Sequence, residues 1–247
     1  MTLPLTTSLT KIQQQGFDFV DAYAMRQQLL QLDAQALDDW PAFSASWYNM
    51  PEDSYMADGG RYRRRRYATL RAEVQSLQAE LQPHQPHYQS LIYNRLNGGV
   101  ARYFVPIEST IMQGASMRAL IGYGLRLFRQ LVSPAAVHIE VHQFRIDANS
   151  LGEGKPTPEG MHRDGVDLVL VTLIDRVNVQ SGTTTIHDLS GRQLASFTLT
   201  QALDTALVDD RQAMHGVTPI IPIEPGQAAF RDVLVVTYRT ISTITQA

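Results

Sequence analysis

The stretch MHRDGVDLVLVTLI, residues 161–174, places a histidine, an arginine and an aspartate just before a long apolar run. The run is rich in Val, Leu and Ile, so residues 167–174 are predicted to form a buried strand. In an extended chain, residues i and i+2 point to the same face and lie roughly 6.5–7 Å apart. His162 and Asp164 are therefore placed to bind one ion together at the mouth of this strand.

Further strand-like segments follow residue 136, and they predict the fold. Each is short, rich in Val, Ile, Thr and aromatic residues, and several are separated by turn sequences such as LSGRQ and IEPGQ. Strands at roughly ten-residue spacing favour a sandwich or a jelly-roll barrel. The segments are AVHIEVHQFRI (136–146), TTTIHD (183–188), ASFTLT (195–200), DTALV (204–208), HGVTPI (215–220) and AAFRDVLVVTYR (228–239).

The first half of the chain has the pattern of helices. Three segments combine helix-forming residues with apolar spacings of three and four: 17–33, 72–82 and 109–132. We therefore expect a mainly β protein with flanking helices. It is predicted to be a single domain, residues 1–247, with a helical part (about 1–135) packed on a jelly-roll core (about 136–240).

Composition limits the chemistry of the chain. It has 247 residues, a net charge of −3 and no cysteine. Disulfides, thiolate zinc sites and iron–sulfur clusters are excluded, so a metal must be held by His, Asp or Glu. The acidic balance argues against nucleic acid, and no apolar run is long enough for a membrane span. The N-terminus has no signal-peptide pattern, so we expect a cytoplasmic protein.

A third ligand for the proposed ion has to come from another strand. His215, 51 residues after Asp164, lies four or five strands further on, which in a jelly roll can return to the same barrel mouth. His187 is a nearer alternative, beside a turn. The upstream set His138, Glu140 and His142 also shares a strand face, but its two histidines are roughly 13 Å apart, so at most two of the three could bind one metal.

Two histidines and one carboxylate leave three coordination positions open, the arrangement of non-haem Fe(II) oxygenases. Arg231 adds to this pattern, because it opens the last strand 16 residues after His215 and shares a face with Val233 and Val235. If this face lines the barrel, the guanidinium can bind a carboxylate near the metal. The alternative is an ordinary arginine at the end of a surface strand.

The combination of His162, Asp164, a distant His215 and Arg231 resembles the Fe(II)/2-oxoglutarate-dependent dioxygenases. Longer sequence segments, spread from about residue 53 to 239, resemble the bacterial free-amino-acid hydroxylases of the L-isoleucine dioxygenase type. They are DGGRYRRRRY, YNRLNGGVARYF, EVHQFRI, PEGMHRDGVD, SGTTTIHD, LVDDRQAMHGVTPI and FRDVLVVTYR.

The resemblance implies a double-stranded β-helix with Fe(II), 2-oxoglutarate and O2 at its mouth. It makes His162, Asp164 and His215 the metal and catalytic residues, and Arg231 the partner of the distal 2-oxoglutarate carboxylate. Many oxygenases have Ser or Thr two residues after this arginine, whereas this chain has Val233.

A free amino acid needs a cation for its carboxylate, and RYRRRRY supplies five arginines between positions 61 and 66. In a strand, Arg61, Arg63 and Arg65 share one face and Arg64 and Arg66 the other. Alternatives for this cluster are a nucleic-acid patch or a solvated edge paired with Glu52, Asp53 and Asp58. Candidate substrate residues are Tyr62, Arg64, Tyr93 and Arg145.

Three functions remain open from the sequence. The leading one is hydroxylation of a free aliphatic L-amino acid or similar small molecule. The others are a peptide or protein hydroxylase, and a non-catalytic jelly-roll protein, such as a stress- or biofilm-related one, with the same metal site. Asp209, Asp210 and Arg211 are expected to fix the turn before His215. Oligomers are possible.

Overall fold

The computed structural model describes residues 4–73, 78–94, 96–132, 135–148 and 152–241. Its helices are α1 (Pro4–Gln15), α2 (Ala22–Leu32), α3 (Trp40–Ala45), α4 (Ser109–Met112) and α5 (Ala115–Leu131). Its strands are β1 (Phe17–Val20), β2 (Arg63–Glu73), β3 (Glu80–Leu81), β4 (Ala136–Ala148), β5 (Leu168–Val177), β6 (Val179–Ser181), β7 (Thr183–Asp188), β8 (Gln193–Thr198), β9 (Thr205–Asp209), β10 (Ala213–Val217), β11 (Ile220–Pro222) and β12 (Ala229–Ile241).

The strands form one large sheet and two small ones. The large sheet has seven strands in the order β1-β9-β5-β12-β4-β2-β3, and the small sheets have the orders β10-β7-β8 and β11-β6. The central strand β12 pairs antiparallel with β4 from Ala229↔Ala148 to Ile241↔Ala136. It pairs with β5 on its other side. The mainly β fold with flanking helices is confirmed. The described strands do not join into one closed barrel.

The helices cover one face of the large sheet. This face presents apolar residues that alternate along the strands, such as Ile139 on β4 and Val236 on β12. They pack in one core with buried residues of α5, including Leu120 and Phe128. Because strand residues alternate between faces, the neighbours of these residues are free to line a site on the opposite face.

The opposite face of the large sheet is covered by the sheet that contains β10. Ile186 of β7 packs with Val169 of β5 and Ala213 of β10 in a small apolar cluster. This cluster fills part of the space between the two sheets. The rest of that space contains polar and charged residues, and it is the cavity described below.

Two of the three predicted helices are wrong in part. Segment 17–33 begins as β1, whose Phe17 pairs with Val208 of β9, and becomes helical only after Asp21, which caps α2 by accepting the Ala24 N–H at 2.9 Å. Segment 72–82 contains the end of β2 and all of β3, while residues 74–77 lie outside the described residues. In both places pairing with a neighbouring strand overrides the helical propensity of the local sequence.

The third helical prediction is confirmed, with a break after α4. Gly114 has an extended backbone and precedes α5, and a Cβ there would collide with the carboxylate of Asp39. Asp39, which is remote in sequence, caps the start of α5. Its carboxylate accepts hydrogen bonds from the backbone N–H and the hydroxyl of Ser116 at 2.8 and 2.6 Å.

The part of the chain before residue 136 is less helical than predicted. It contributes β1, β2 and β3 to the large sheet, and β2 lies directly beside β4. The arginine-rich segment is therefore inside the main sheet. Among the described residues, no helix is long and apolar enough to cross a membrane.

Candidate active site

Three predicted ligands, His162, Asp164 and His215, meet at one end of the cavity. His162 Nε2 lies 3.6 Å from Asp164 Oδ1, and His215 Nε2 lies 3.6 Å from Asp164 Oδ2. One potential ligand atom from each residue lies within 4.8 Å of the others. Adjacent ligands of an octahedral ion with bonds of about 2.1 Å are roughly 3 Å apart. The spacing of the three side chains thus suits a small divalent ion.

Backbone pairing holds the two histidines together. His162 and His215 form an isolated antiparallel bridge, in which each N–H donates to the other carbonyl at 2.9 and 3.0 Å. His215 belongs to β10, whereas His162 lies in the loop before β5. The bridge therefore fixes a loop residue against a strand residue.

Asp210 ties the same loop to the turn between β9 and β10. Its carboxylate accepts the backbone N–H groups of Asp164, Gly165 and Val166 at 2.9, 2.8 and 3.2 Å. Its backbone carbonyl also accepts a hydrogen bond from Arg163 Nε. Asp210 was predicted to fix the turn before His215, and its contacts also position the loop that contains Asp164.

The hydrogen bonds of His162 leave its Nε2 facing Asp164. Nδ1 lies 2.9 Å from the Gly160 carbonyl, which can only accept, so Nδ1 carries a proton. A ligating histidine commonly donates its second ring N–H in this way. Burial lowers the pKa of His162, but the nearby carboxylate of Asp164 outweighs it and raises the pKa to about 9. Burial and the neighbouring His162 lower the pKa of His215 to about 4.

Arg231 lies in the same cavity with its charge unpaired. It is only 2% exposed, and its Nε and Nη2 have no hydrogen-bond partner among the described residues. Burial and the nearby Arg176 lower its pKa from 12.5 to about 10, so it remains a cation at neutral pH. A buried guanidinium with unmet donors is a binding site for an anion.

The cavity is lined by both polar and apolar residues. Its volume, taken as the space that the centre of a water molecule can reach, is about 130 Å³. On the same measure one water needs roughly 10–15 Å³, so there is room for a small organic molecule. Polar lining residues include Arg63, Arg65, His87, Arg102, His142 and Glu159. Apolar lining residues are Phe144, Ile146, Val166, Val171, Val217, Val233 and Val235.

Comparison with known sequences identifies the family. The profile described as 2OG-Fe dioxygenase matches residues 44–237. The chain belongs to this family. It is therefore an oxygenase that uses Fe(II), 2-oxoglutarate and O2, and the predicted resemblance is confirmed.

Individual relatives of this dioxygenase include amino-acid hydroxylases. L-isoleucine-4-hydroxylase of Bacillus thuringiensis is 27% identical over 196 residues, which cover 78% of this chain and 79% of that protein. 3(1)-hydroxy-L-isoleucine 4-dioxygenase of Pantoea ananatis is 22% identical over 236 residues, covering 93% and 94%. The crystal structure of a bsmA homolog from Methylobium petroleophilum is 37% identical with a TM-score of 0.86, covering 97% and 94%.

Two of the predicted substrate residues of the dioxygenase, Tyr62 and Arg64, are not brought to the cavity. The Tyr62 hydroxyl donates to Asp58 at 2.6 Å, and Arg64 Nε donates to Asp147 at 3.0 Å. Both line a separate open depression. Strand alternation explains the difference, because the inward-facing side chains of β2 are those of odd-numbered residues such as Arg63 and Arg65.

Arg145 and Tyr93 also lie outside the cavity lining. Arg145 faces the same depression as Arg64, and its Nε and Nη2 bind the two oxygens of Asp232 at 2.7 and 2.6 Å. Tyr93 packs against Gly165, where a Cβ would come within 2.5 Å of its ring. Gly165 has a φ of +79°, so this position needs glycine for its backbone as well. Tyr93 therefore supports the loop that contains Asp164.

A second cluster of potential ligands, around Glu140, is bonded internally. Glu140 accepts the Tyr67 hydroxyl at 2.8 Å and lies 3.1 Å from His87 Nδ1. Arg65 Nη2 lies 2.8 Å from His142 Nδ1, and because arginine only donates, this nitrogen accepts and Nε2 carries the proton. Both nitrogens of His142 are then unavailable to a metal. We therefore place the metal at His162, Asp164 and His215 in the proposal that follows.

Several lining residues were missed by sequence reasoning. Gln89 Nε2 donates to the carboxylate of Asp164 at 3.3 Å, and its own oxygen accepts from Asn94 at 3.0 Å. Arg102 and Glu159 line the cavity from loops. Both residues lie in segments that carry the family resemblance, GGVARYF and PEGMHRDGVD, but the resemblance alone does not single them out.

Proposed function

We propose that this dioxygenase hydroxylates a free aliphatic L-amino acid, with His162, Asp164 and His215 as iron ligands. The observation that carries the proposal is that this triad and the unpaired cation Arg231 line one small cavity. An iron site of this type needs three protein ligands and three open positions. A carboxylate-binding cation beside it suits the 2-oxo acid that the family uses.

Each residue has a defined task in the proposed reaction. Iron, when bound with 2-oxoglutarate and O2, supplies the oxidising chemistry that turns a C–H bond into an alcohol. Arg231 binds the distal carboxylate of 2-oxoglutarate and thereby orients the cosubstrate. Gln89 and Asp210 hold Asp164 and its loop in position. Apolar side chains around the site exclude water from the reacting atoms.

The substrate class is supported by relatives and by the cavity. Two relatives bear names that specify isoleucine or hydroxyisoleucine as the molecule they act on. In this chain, Val171, Val233 and Val235 line the cavity on neighbouring strands and offer an apolar wall. Such a wall suits an aliphatic side chain.

We also infer the finer form of the fold and of the ligand. The large sheet and the facing β10-β7-β8 sheet support a double-stranded β-helix in a single domain, with the triad between the two sheets. A cavity of about 130 Å³ suits a small molecule better than a polymer such as nucleic acid or an extended peptide.

Succinate formation tests the proposal. The purified protein would be incubated with Fe(II), ascorbate and 2-oxoglutarate, and screened against the twenty free L-amino acids. We expect one or a few aliphatic members to stimulate succinate formation and to gain one oxygen atom, measured by mass spectrometry. Succinate formation that no amino acid stimulates would refute the substrate class, and no succinate under any condition would refute the activity.

Two histidine variants test the metal assignment. His215→Gln should abolish iron binding and stimulated turnover, because it removes one of three ligands. His187→Gln is the matched control, since His187 lies opposite Met214 on the neighbouring strand β7 and its ring contacts the Gly191 carbonyl at a turn. Iron content measured by elemental analysis should fall in the first variant only. Retained iron in His215→Gln, or loss in His187→Gln, would contradict the assignment.

A further inference from the structure

One edge of an arginine guanidinium carries the donors Nε and Nη2. Four arginines of this protein differ in what this edge contacts. In Arg145 this edge binds both oxygens of Asp232 at 2.7 and 2.6 Å, and in Arg211 it binds Asp209 at 2.8 and 2.7 Å. The same edge is buried and unpaired in Arg231 and in Arg102. Among the described residues, the cavity thus offers two guanidinium edges, with both Nε and Nη2 unpartnered, to carboxylates from outside the chain. The cosubstrate accounts for one of them.

Arg102 is built into the cavity. It is 2% exposed, and its backbone is fixed by two hydrogen bonds of 2.9 Å with His87. Its guanidinium lies 5.8 Å from the centre of the Phe104 ring. Burial and the neighbouring charge of Arg63 lower its pKa. Arg63 itself is paired with Asp53, so it does not compete for the same ligand.

Glu159 presents the opposite charge to the same cavity. Its Oε2 is buried and has no hydrogen-bond partner among the described residues. Its Oε1 lies 3.4 Å from His162 Nε2, which places the carboxylate next to the proposed iron site. Arg102 and Glu159 are close enough to influence each other electrostatically, yet they form no ion pair. An anion binder and a cation binder therefore face one cavity, each with buried polar atoms that no described residue bonds: Nε and Nη2 of Arg102, and Oε2 of Glu159.

We propose that Arg102 and Glu159 form the subsite that recognises the two charges of the amino-acid substrate: Arg102 binds its α-carboxylate and Glu159 its α-ammonium group. This inference rests on the proposed function, because it assigns residues to that substrate. It also explains why Glu159 lies beside the metal: an ammonium group held there keeps the nearby carbons of the side chain close to the iron. The apolar wall formed by the valines then receives the rest of the side chain.

Ligand binding with one charge removed at a time tests the subsite. The ligand is the amino acid that stimulates succinate formation most, compared with its carboxamide and its N-acetyl derivative. Calorimetric titrations are made without oxygen, on protein loaded with Fe(II) and 2-oxoglutarate. We expect the free amino acid to bind roughly ten- to a hundred-fold tighter than either derivative, since a hydrogen bond to a charged group has about this effect.

Two substitutions should remove these preferences separately. Arg102→Gln should abolish the preference for the acid over the carboxamide and keep the preference over the N-acetyl derivative, while Arg102→Lys should restore part of the first. Glu159→Gln should show the converse. Arg71→Gln and Glu80→Gln, both exposed on β2 and β3, are matched controls and should keep both preferences.

The possible outcomes distinguish a failure of the proposed subsite from a failure of the proposed function. An equal loss of affinity for all three ligands in Arg102→Gln would make its role structural and overturn the subsite. Loss of iron from Glu159→Gln, measured by elemental analysis, would assign Glu159 to the metal and overturn its role toward ammonium. If an amino acid stimulates turnover and the preferences stay unchanged in both variants, only the subsite is refuted. If no amino acid binds or stimulates succinate formation, the proposed substrate class is refuted as well.

Discussion

Replacing Arg231 by methionine should change stability and cosubstrate binding in opposite directions. The guanidinium is buried, and no described residue neutralises its Nε–Nη2 edge. Its pKa falls from 12.5 to about 10, and at about 1.4 kcal/mol for each pKa unit this corresponds to roughly 3 kcal/mol. Methionine has a similar length and no charge. The protein without 2-oxoglutarate should therefore gain up to about 3 kcal/mol of unfolding free energy from Arg231→Met.

Cosubstrate binding should suffer in the same variant. Two charge-assisted hydrogen bonds of about 1.5–3 kcal/mol each would be lost, so the Kd for 2-oxoglutarate should rise at least a hundred-fold. At a concentration of 100 times the original Kd, 2-oxoglutarate stabilises the original protein by about 2.7 kcal/mol. It would stabilise a variant with hundred-fold weaker binding by only about 0.4 kcal/mol.

Thermal unfolding without oxygen measures both effects, with and without Fe(II) and 2-oxoglutarate. For a chain of this size about 1 kcal/mol shifts Tm by roughly 2–4 °C. Arg231→Met should therefore melt several degrees higher than the original protein when unliganded, and respond little to 2-oxoglutarate. Arg239→Met, on the same strand but exposed, should match the original protein in both respects. A less stable Arg231→Met that keeps the full response to 2-oxoglutarate would refute the reasoning.

Three further substitutions test the surroundings of the site. Gly165→Ala should lower iron affinity at least tenfold in a metal titration, because φ is +79° and the new methyl group would meet the Tyr93 ring; affinity equal to that of the original protein would contradict this. Asp210→Asn should destabilise the protein by about 1–3 kcal/mol in urea unfolding, since an amide N–H2 would face backbone donors; an unchanged midpoint would count against the role of Asp210. Burial and Arg65 lower the pKa of His142 to about 3, so between about pH 3 and 6.5 the unfolded state binds more protons and stability falls as pH falls. His142→Gln should flatten this part of the curve of unfolding free energy against pH. An equally steep curve would refute the assignment of this pH dependence to His142.

The strands after residue 136 could be predicted because their sequences combine β-branched residues with clear turns. The pairing of His162 with Asp164 was also predictable from their two-residue spacing, whereas His215 was placed by counting the strands of a jelly roll and by the family resemblance. Arg231 followed from the same alternation on the last strand.

The substrate side of the cavity could not be predicted in the same way. Whether Arg63 or Arg64 faces inward depends on the pairing of β2 with β4, a contact between residues about 80 positions apart. Arg102 and Glu159 come from loops, which have no periodicity that indicates a face. Glutamine-rich segments such as 72–82 have helical propensity, and only the neighbouring strands determine that β2 and β3 form there instead.

The alternation of charge along β12 has a consequence for how this strand finds its partners. Arg231 points into the cavity, while the next residue, Asp232, points to the other face and binds Arg145. A slip of one residue would exchange these positions. It would replace the guanidinium in the cavity by a carboxylate, and set a guanidinium against Arg145. Such a misaligned chain would be penalised by like-charge repulsion between this guanidinium and Arg145, so the order of charges at Arg231 and Asp232 favours the correct register during folding.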